Sequence, residues 1–348
     1  MSLQFRNKSM SIWLLLVISM VYGMILVGGL TRLTDSGLSM VDWRPIMGTI
    51  PPITAEEWQS VFDAYRQFPE YQQINKGMSL DEFKSIFYWE YGHRVLGRLL
   101  GIVFFIPFLY FVIRGRIRGA LLQKLGLAFV LGGAQGLLGW YMVKSGLVNE
   151  PRVSQYRLAA HLGLAFLLLC YLYWIFLDLM VRGRARINKI SFKGISVLLV
   201  ALISLQIFYG ALTAGLDAGL IYNTFPHMNG VLLPDGAMYH QPAWKNLFEN
   251  PMTVQFIHRC LGWMTAALVL FQFIKGLRSH LSRSQKSIQL ALLLMTFLQF
   301  ILGVGTLLMR VPLSLASLHQ GGAAVLLVLA VSNCFIEWRY LAPQTDAS

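Results

Sequence analysis

The chain has 348 residues, of which 56% are hydrophobic and 13% are charged, and its mean hydropathy is +0.56. A soluble domain carries about 25% charged residues, so this composition excludes an ordinary soluble protein and predicts a membrane protein with several spans. The formal net charge is +13. Its distribution along the chain, described below, is a topology signal, and no nucleic-acid partner is expected.

Apolar stretches of about 20 residues, the length that crosses a bilayer, recur eight times along the chain. We predict spans at residues 12–31, 86–113, 120–142, 157–180, 192–215, 252–274, 287–309 and 314–336. About ten residues precede the first span, which leaves no room for a transit peptide, and this span lacks a small-residue cleavage site. We therefore expect it to be retained as a helix.

The segments between the spans differ in their content of basic residues. Alternate segments contain 16 of the 29 Lys and Arg in 58 residues, namely 1–10, 114–124, 181–193, 275–286 and 337–348. The remaining segments contain 9 in 108 residues, namely 32–85, 143–156, 216–251 and 310–313. The positive-inside rule then places both termini in the cytoplasm, and a bacterial cytoplasmic (inner) membrane is the expected location.

The first outer loop, residues 32–85, is long and carries two helix-start patterns. Thr54-Ala-Glu-Glu57 is a capping box that predicts a short amphipathic helix through Trp58, Phe62 and Tyr65. Ser79-Leu-Asp-Glu82 is a second capping box, at the start of the helix that continues into the second span. These patterns predict a folded cap over the membrane surface, and a long ordered loop can also serve as a lid over a site.

The four spans of residues 1–186 are repeated by the four spans of residues 187–348. Glu90-Tyr-Gly-His-Arg-Val-Leu-Gly97 recurs 165 residues later as Gln255-Phe-Ile-His-Arg-Cys-Leu-Gly262. Three other stretches recur in the same order: Gly28-Gly-Leu-Thr31 as Gly210-Ala-Leu-Thr213, Gln135-Gly-Leu-Leu-Gly139 as Gln299-Phe-Ile-Leu-Gly303, and Leu158-Ala-Ala-His-Leu-Gly163 as Ala316-Ser-Leu-His-Gln-Gly321. Four spans per copy is an even number, so both copies cross the membrane in the same orientation. The predicted fold is an all-α integral membrane protein with eight transmembrane helices, arranged as two parallel-repeat four-helix bundles side by side.

Each half contains two histidines near the outer ends of its second and fourth spans, His93 with His161 and His258 with His319. In a four-helix bundle these two helices can bring imidazoles to opposite sides of a planar ring, and imidazole is a standard axial ligand of haem iron. A single intramembrane histidine would more often serve structural hydrogen bonding, but two matched pairs indicate haem ligation. Zinc is disfavoured because no cluster of Cys or carboxylates completes either pair.

The two halves differ beside the first histidine of each pair. Glu90 lies one turn before His93, whereas the second half has Gln255 at the corresponding place. Only the first half therefore has a titratable acid beside a candidate ligand, which indicates substrate chemistry there and electron transfer in the second half. An intramembrane acid is a functional candidate by default, and an ion pair with Arg94, one turn further on, is the structural alternative.

Other polar residues in the spans have candidate roles of two kinds. Arg94, Arg98 and Arg259 are candidates for binding haem propionates, because arginine matches the geometry of a carboxylate. Arg157 is a weaker candidate, with snorkelling to the outer interface as the alternative. Interhelical hydrogen bonds are expected for a further set of residues, Thr31, Thr213, Gln135 and Gln299.

These residues together resemble a known family, haem A synthase. The resemblance rests on Glu-x-x-His-Arg at residues 90–94, its Gln-x-x-His-Arg copy at 255–259, the two further histidines, and Gly28-Gly-Leu-Thr-Arg-Leu33. Ser36-Gly-Leu-Ser-Met-Val-Asp-Trp-Arg-Pro-Ile46 is similar to the form found in proteobacteria and mitochondria. The resemblance covers nearly the whole chain and implies oxidation of a ring methyl of haem O to the formyl group of haem A, for cytochrome oxidase assembly.

The resemblance also implies roles for particular residues. A resident haem b would lie between His258 and His319, and the substrate porphyrin would lie between His93 and His161, with Glu90 in catalysis. We expect two successive hydroxylations of the methyl followed by loss of water. Delivery of haem O by a haem O synthase in the same membrane is a further expectation, and a homo-oligomer is left open. Some members of the family carry a cysteine pair in the first outer loop, and this loop contains no cysteine.

Two other classes of protein compete with this interpretation. The main alternative is a two-haem, b-type membrane electron carrier without substrate chemistry. Such a carrier is expected to place haems near both faces, whereas all four histidines here are predicted near the outer face, and Glu90 has no counterpart in the second half. A transporter is the third alternative, but it predicts broken helices and polar residues near the middle of the membrane, of which the sequence shows few.

Overall fold

The computed structural model describes residues 2–41, 50–146, 153–180 and 192–340, and within these ranges the chain forms helices and no β-strand. The α-helices are α1 (Ser2–Leu33), α2 (Ala55–Tyr65), α3 (Pro69–Gln73), α4 (Leu80–Ile113), α5 (Gly119–Gly146), α6 (Gln155–Met180), α7 (Lys193–Gly215), α8 (Asn246–Glu249), α9 (Pro251–Leu277), α10 (Arg283–Leu308) and α11 (Leu313–Tyr340). Residues 42–49, which include part of the Ser36–Ile46 motif, lie outside these ranges, as does the predicted boundary between residues 186 and 187.

Eight of the described helices are long and apolar enough to cross a membrane, which confirms the predicted number and order of spans. They are α1 from Lys8, α4, α5 to Ser145, α6, α7, α9, α10 and α11 to Trp338. The second span is longer than predicted, since α4 begins at Leu80 and runs without a break to Ile113. The arrangement as two parallel-repeat bundles, with halves 1–186 and 187–348, stays a prediction with which these helix lengths agree.

The chain divides into two compact units, one of residues 16–168 and one of residues 169–348 together with residues 1–15. In the latter unit, α7 packs on α9, α9 on α10, α10 on α11, and α11 back on α7, which closes a ring of four helices. Apolar side chains from all four helices are buried in it, including Leu199, Val254, Leu292 and Ala324. A ring of this kind can enclose a planar group between facing helices.

The first outer loop folds as its two capping boxes predict. Thr54 caps α2 and Ser79 caps α4, and in each case the third helical residue is a glutamate that bonds back to the cap. The helices pack through an aromatic cluster, the outer-loop cluster, made of Met40, Trp58, Phe62, Tyr65, Phe83 and Phe87. Its ring centroids lie 5.0–5.9 Å apart in tilted or edge-on pairs, the arrangements that aromatic rings favour.

A carboxyl is buried beside this cluster. Glu70 is 5% exposed, Tyr65 Oη donates to Glu70 Oε2 over 3.1 Å, and Asn75 Nδ2 donates to Tyr65 Oη over 2.8 Å. Burial, and to a smaller extent the charges of Glu90 and Asp35, raise the pKa of Glu70 from its ordinary value of 4.5 to about 8. The Glu70 carboxyl is therefore mostly protonated at neutral pH.

The second outer loop is held to the start of α9 by asparagine side chains. Asn250 caps the helix by accepting from Met252 N, and its Nδ2 donates to Gly236 O and Ala237 O, each over 2.9 Å. Asn246 bonds both the main-chain N–H and the carbonyl of His240. A loop anchored in this way fixes where the chain enters the span that carries His258.

Candidate functional site with two histidine pairs

The four predicted ligands lie on four different spans, each about two to four turns after the helix begins. His93 is on α4, His161 on α6, His258 on α9 and His319 on α11. All four rings are partly buried. His93 and His161 lie within electrostatic range of each other, and the rings of His258 and His319 are neighbours in an edge-on arrangement. The structure therefore brings together the two pairs that the repeat predicts.

Each of the four imidazoles packs against a glycine of the preceding span. A Cβ atom built on the glycine would lie 2.8–3.2 Å from the nearest ring atom, which is tighter than nine in ten real Cβ contacts. The pairs are Gly28 with His93, Gly139 with His161, Gly210 with His258, and Gly303 with His319. All four glycines belong to the repeated stretches. Glycine is favoured at these places because a side chain would require the ring to shift, most clearly at Gly139 and Gly303.

The geometry of the second pair fits a metal-centred planar group. The ring centroids of His258 and His319 are 6.5 Å apart and the ring planes differ by 83°. A ligating nitrogen lies about 2 Å from its metal and about 1 Å from its own ring centre, so two imidazoles on opposite sides of one metal have centroids about 6 Å apart. Among the described residues, the buried His258 Nδ1 has no hydrogen-bond partner. A nitrogen in that state is available to a ligand.

The first pair offers matching donors. His161 Nδ1 is also buried without a hydrogen-bond partner among the described residues. Within the same residues, no group of three or more His, Cys, Asp or Glu side chains could hold a metal ion by itself. Each pair offers two imidazoles, and imidazole is a standard axial ligand of haem iron.

Glutamine side chains lie beside three of the four rings. Gln135 Nε2 is 3.5 Å from His161 Nε2, and Gln299 Nε2 is 3.1 Å from His319 Nδ1. Both amides also donate to the main-chain carbonyl of the same histidine, over 3.0 and 2.7 Å, which confirms the interhelical hydrogen bonds predicted for these two residues. For Thr31 and Thr213 that prediction was wrong, since each hydroxyl donates to the carbonyl four residues earlier on its own helix. Backbone acceptors one turn away are closer than any neighbouring helix.

Sequence reasoning missed the third glutamine, Gln206, whose Nε2 lies 3.4 Å from His258 Nε2. The signal was present in the spacing. Gln206 precedes its glycine, Gly210, by four residues, and the same Gln-x-x-x-Gly pattern occurs at residues 135–139 and 299–303. Residues four apart share one face of a helix, so an amide and a glycine face the same imidazole.

Glu90 lies at the centre of a hydrogen-bonded group that joins α4 to the first outer loop. It is 2% exposed, and its Oε2 accepts from Ser39 Oγ over 2.8 Å and from Met40 N over 2.7 Å. Its Oε1 accepts from Arg94, whose Nη2 also donates to Met40 O over 2.9 Å. The ion pair with Arg94, the structural alternative named above, is thus present. A catalytic role for Glu90 remains a hypothesis.

Gln255 occupies the corresponding place on α9, where it donates hydrogen bonds to the loop, whereas Glu90 accepts them. Gln255 Nε2 donates to Ala218 O over 2.7 Å and to Tyr222 O over 3.3 Å, and its Oε1 accepts from Arg259 over 3.1 Å. Arg259 also donates to Tyr222 O over 2.9 Å and to carbonyls of residues 224–227. A neutral amide thus holds the second loop through its carbonyls.

The structure places the predicted arginines at different partners. The guanidinium groups of Arg94 and Arg259 lie on carbonyls of the outer loops, and Arg157 lies over the Tyr141 ring at 5.0 Å. Arg98 is partly buried on α4, one turn after Arg94. Their contact with a haem propionate stays a prediction.

Eight apolar spans that carry two glycine-packed histidine pairs define a polytopic helical membrane protein. The family model described as cytochrome oxidase assembly protein matches residues 11–331. The haem A synthase of Nitrosospira multiformis is 47% identical over 328 residues, covering 93% of this chain and 92% of the relative. The haem A synthase of Parvibaculum lavamentivorans is 48% identical over 326 residues, covering 94% and 93%. The chain belongs to this family, which confirms the resemblance found in its motifs.

Proposed function

We propose that this protein is a haem A synthase, which oxidises a ring methyl of haem O to the formyl group of haem A for cytochrome oxidase assembly. One observation carries the proposal. The chain is nearly half identical to haem A synthases over more than nine tenths of its length, and residues 11–331, which the family model matches, include both histidine pairs. The chemistry belongs to the oxidoreductase class.

The two pairs divide the work between a substrate and a resident cofactor. His93 and His161 would hold the substrate porphyrin, and His258 and His319 would hold a resident haem b. The glycine contacts and the ring separation at the second pair support this fit. When bound, haem b supplies one-electron transfer. The absence of an acid at Gln255 supports a second site without proton chemistry.

The substrate methyl is converted in steps that change only its own carbon. Each of two successive hydroxylations replaces one C–H bond of the methyl with a C–O bond and removes two electrons, which an oxidant from outside the chain takes up. The first gives an alcohol and the second a geminal diol, and the diol loses water to leave the formyl group. His93 and His161 would fix the orientation of the porphyrin, so that the same methyl is always placed where it reacts. The apolar spans around the pair exclude bulk water.

Glu90 would act as the fixed negative charge of this site. Three donors hold the carboxylate in one position, so it can stabilise positive charge that develops near the methyl carbon, or accept a proton during oxidation. Arg94, held to Met40 O at the same time, keeps the first outer loop over α4. Arg94, Arg98 and Arg259 remain candidates for the propionates.

The membrane context follows from the topology of the spans. We place the protein in a bacterial cytoplasmic membrane with both termini in the cytoplasm, on the basis of the basic residues in alternate segments. Residues 1–186 would form the substrate half and residues 187–348 the haem b half. A haem O synthase in the same membrane is the expected source of substrate, and a homo-oligomer is left open.

The test is expression of the protein with and without a haem O synthase, followed by purification and identification of the extracted haems by chromatography and mass. Haem A that forms only with the synthase present supports the proposed reaction. In Glu90→Gln we expect haem A to fall by about 10²–10⁴-fold, the usual effect of losing an acid–base group, while haem b stays bound.

Ser39→Ala is the matched control for Glu90. It removes one of the three donors to the carboxylate but leaves the charge and the ion pair, so haem A should fall far less than in Glu90→Gln. Equal losses in both variants would show that the hydrogen-bonded group matters only for structure. Haem b alone under every condition would refute the synthase and favour the two-haem electron carrier.

A further inference from the structure

Three of the four imidazoles are held by a glutamine and a glycine that lie one turn apart on the preceding span. The glycine packs against the ring, and the glutamine amide lies within 3.1–3.5 Å of a ring nitrogen. The three pairs are Gln135 with Gly139, Gln206 with Gly210, and Gln299 with Gly303. The repetition of one spacing on α5, α7 and α10 indicates a common function.

His93 is the exception. Its glycine, Gly28, is preceded four residues earlier by Met24. Met24 occupies the place that Gln206 has in the second half. A Cβ built on Gly97 would lie 3.5 Å from Met24 Cε, and one built on the matching Gly262 would lie 3.6 Å from Gln206 Nε2. Within the described ranges, no side-chain amide lies beside the His93 ring.

This exchange removes an orienting partner from one ligand. A ligating histidine needs an acceptor for its second ring N–H, which fixes the ring orientation and the tautomer, and loss of such a partner costs about 10–100-fold in metal affinity. Among the described residues, the amide oxygens of Gln135, Gln206 and Gln299 are buried without a hydrogen-bond partner, so each of these glutamines keeps a free acceptor on the amide that lies beside the ring. A methionine thioether has no donor and is only a weak acceptor. Over the described part of the chain, the His93 ring therefore packs on Gly28 without an amide beside it, whereas the His258 ring has both contacts.

We propose that Gln135, Gln206 and Gln299 are positioning residues for the ligating imidazoles, and that Met24 makes His93 the labile ligand of the first pair. This inference rests on the proposed function. A site that receives a substrate porphyrin and releases its product needs one axial ligand that dissociates readily, whereas a site for a resident cofactor needs two axial ligands that stay bound. Met24 and Gln206 occupy the same place in the repeat, and this one difference gives the first pair a labile ligand and the second pair two firmly bound ones.

The experiment uses the full-length protein purified from cells with a haem O synthase and follows haem transfer to excess apo-myoglobin. Chromatography separates haem b, from the second pair, from haems O and A, from the first. Met24→Gln should slow the transfer of haems O and A by about 10–100-fold. Gln206→Met should speed the loss of haem b by a similar factor, and shift the low-spin electron paramagnetic resonance signal and the reduction potential of that haem. Met20→Gln, which places the same amide one turn away, should change none of these rates.

The outcomes separate the inference from the proposed function. Unchanged transfer rates and an unchanged haem b signal in both variants, with both pairs loaded, would overturn the positioning role and leave the function standing. A parent protein that contains no haem would overturn the function and this inference together. If Gln206→Met does not fold, Met24→Gln decides alone, because faster or unaltered transfer in that variant contradicts a labile His93.

Discussion

Both halves of the chain bind the main chain of an outer loop to a helix that carries a histidine, but the first half uses an acid for this and the second half an amide. In the first half, Glu90 and Arg94 hold the main chain at Met40, and in the second half Gln255 and Arg259 hold it at Tyr222. Tyr222 follows Gly210 at the same distance as Met40 follows Gly28. Both arginines donate to the carbonyl of that loop residue, so the frame of helix and loop is common to the two halves.

The two side chains before the arginines then separate the halves. The Glu90 carboxylate can only accept hydrogen bonds, and it accepts from a main-chain N–H and a hydroxyl of the loop. The Gln255 amide nitrogen instead donates hydrogen bonds to two main-chain carbonyls of the loop. A loop that offers donors stabilises a buried charge, whereas a loop that offers carbonyls would repel one. The comparison shows that the two halves differ in which backbone groups the loop offers, in addition to the identity of the side chain that receives them.

Removal of one histidine from either pair should have the largest effect, because each change should alter the haem content of its own half only. His319→Ala is expected to lose haem b, because one imidazole of that pair is gone. His161→Ala should keep haem b and make no haem A. The haem content of the two purified variants, measured by extraction, checks this expectation. Loss of haem b from His161→Ala at unchanged protein yield would contradict separate sites.

Exchange of the acid and the amide should have the next largest effect. Gln255→Glu puts a carboxylate against Ala218 O and Tyr222 O, and a buried polar group without a suitable partner costs about 1–3 kcal/mol. Arg259 compensates only part of this cost. We expect a lower melting temperature and no new methyl-oxidising activity at the second pair. Gln255→Leu, which loses the same bonds without adding a charge, is the control. A variant as stable as the parent would contradict this account.

The glycine contacts should give a graded series. Gly303→Ala and Gly139→Ala bring a Cβ to 2.8 and 2.9 Å from a ring atom, against 3.1 Å at Gly210 and 3.2 Å at Gly28. We expect a loss of about 1–3 kcal/mol from overpacking and a lower haem content, both larger for the first two. Thermal unfolding and haem extraction measure the two quantities. Gly136→Ala, where no atom lies within 4 Å, is the control on α5 and should be neutral.

A change of pH should produce an effect confined to the first outer loop. The raised pKa of Glu70, about 8, means that the folded chain keeps a proton which the unfolded chain releases above pH 4.5. The free energy of unfolding should therefore fall as the pH rises from about 4.5 to about 8, and the change should end above that value. Limited proteolysis of the first outer loop between pH 5 and pH 9 would show it. Glu70→Gln should remove the dependence, and a dependence that persists would locate it elsewhere.

Much of the fold could be predicted because its causes are local. Apolar length set the eight spans, and the two capping boxes set the starts of α2 and α4. The internal repeat placed the four histidines at matching positions. Thr31 and Thr213 were predicted wrongly because a hydroxyl in an apolar helix finds its nearest acceptor one turn back on its own backbone.

Contacts between distant parts of the chain could not be predicted. Ser39 and Met40 are about 50 residues from Glu90 in sequence, and no periodicity connects them. Gln206 was visible as a polar residue in a span, but its partner on another helix was not. The burial of Glu70 depends on a cluster that draws residues from the loop, α2 and α4.

The sequence by itself determined that this is an eight-span membrane protein with two repeated histidine pairs and one unmatched acid. Hydrophobic length, charge bias and repetition are properties of the chain, and they survive any packing of the helices. Only the tertiary structure decided that each imidazole packs on a glycine and that Glu90 is bonded to the first outer loop. It also decided that three imidazoles have an amide beside them and that His93, within the described part of the chain, does not. These features depend on distances between helices, which side-chain packing sets and which no single stretch of sequence encodes.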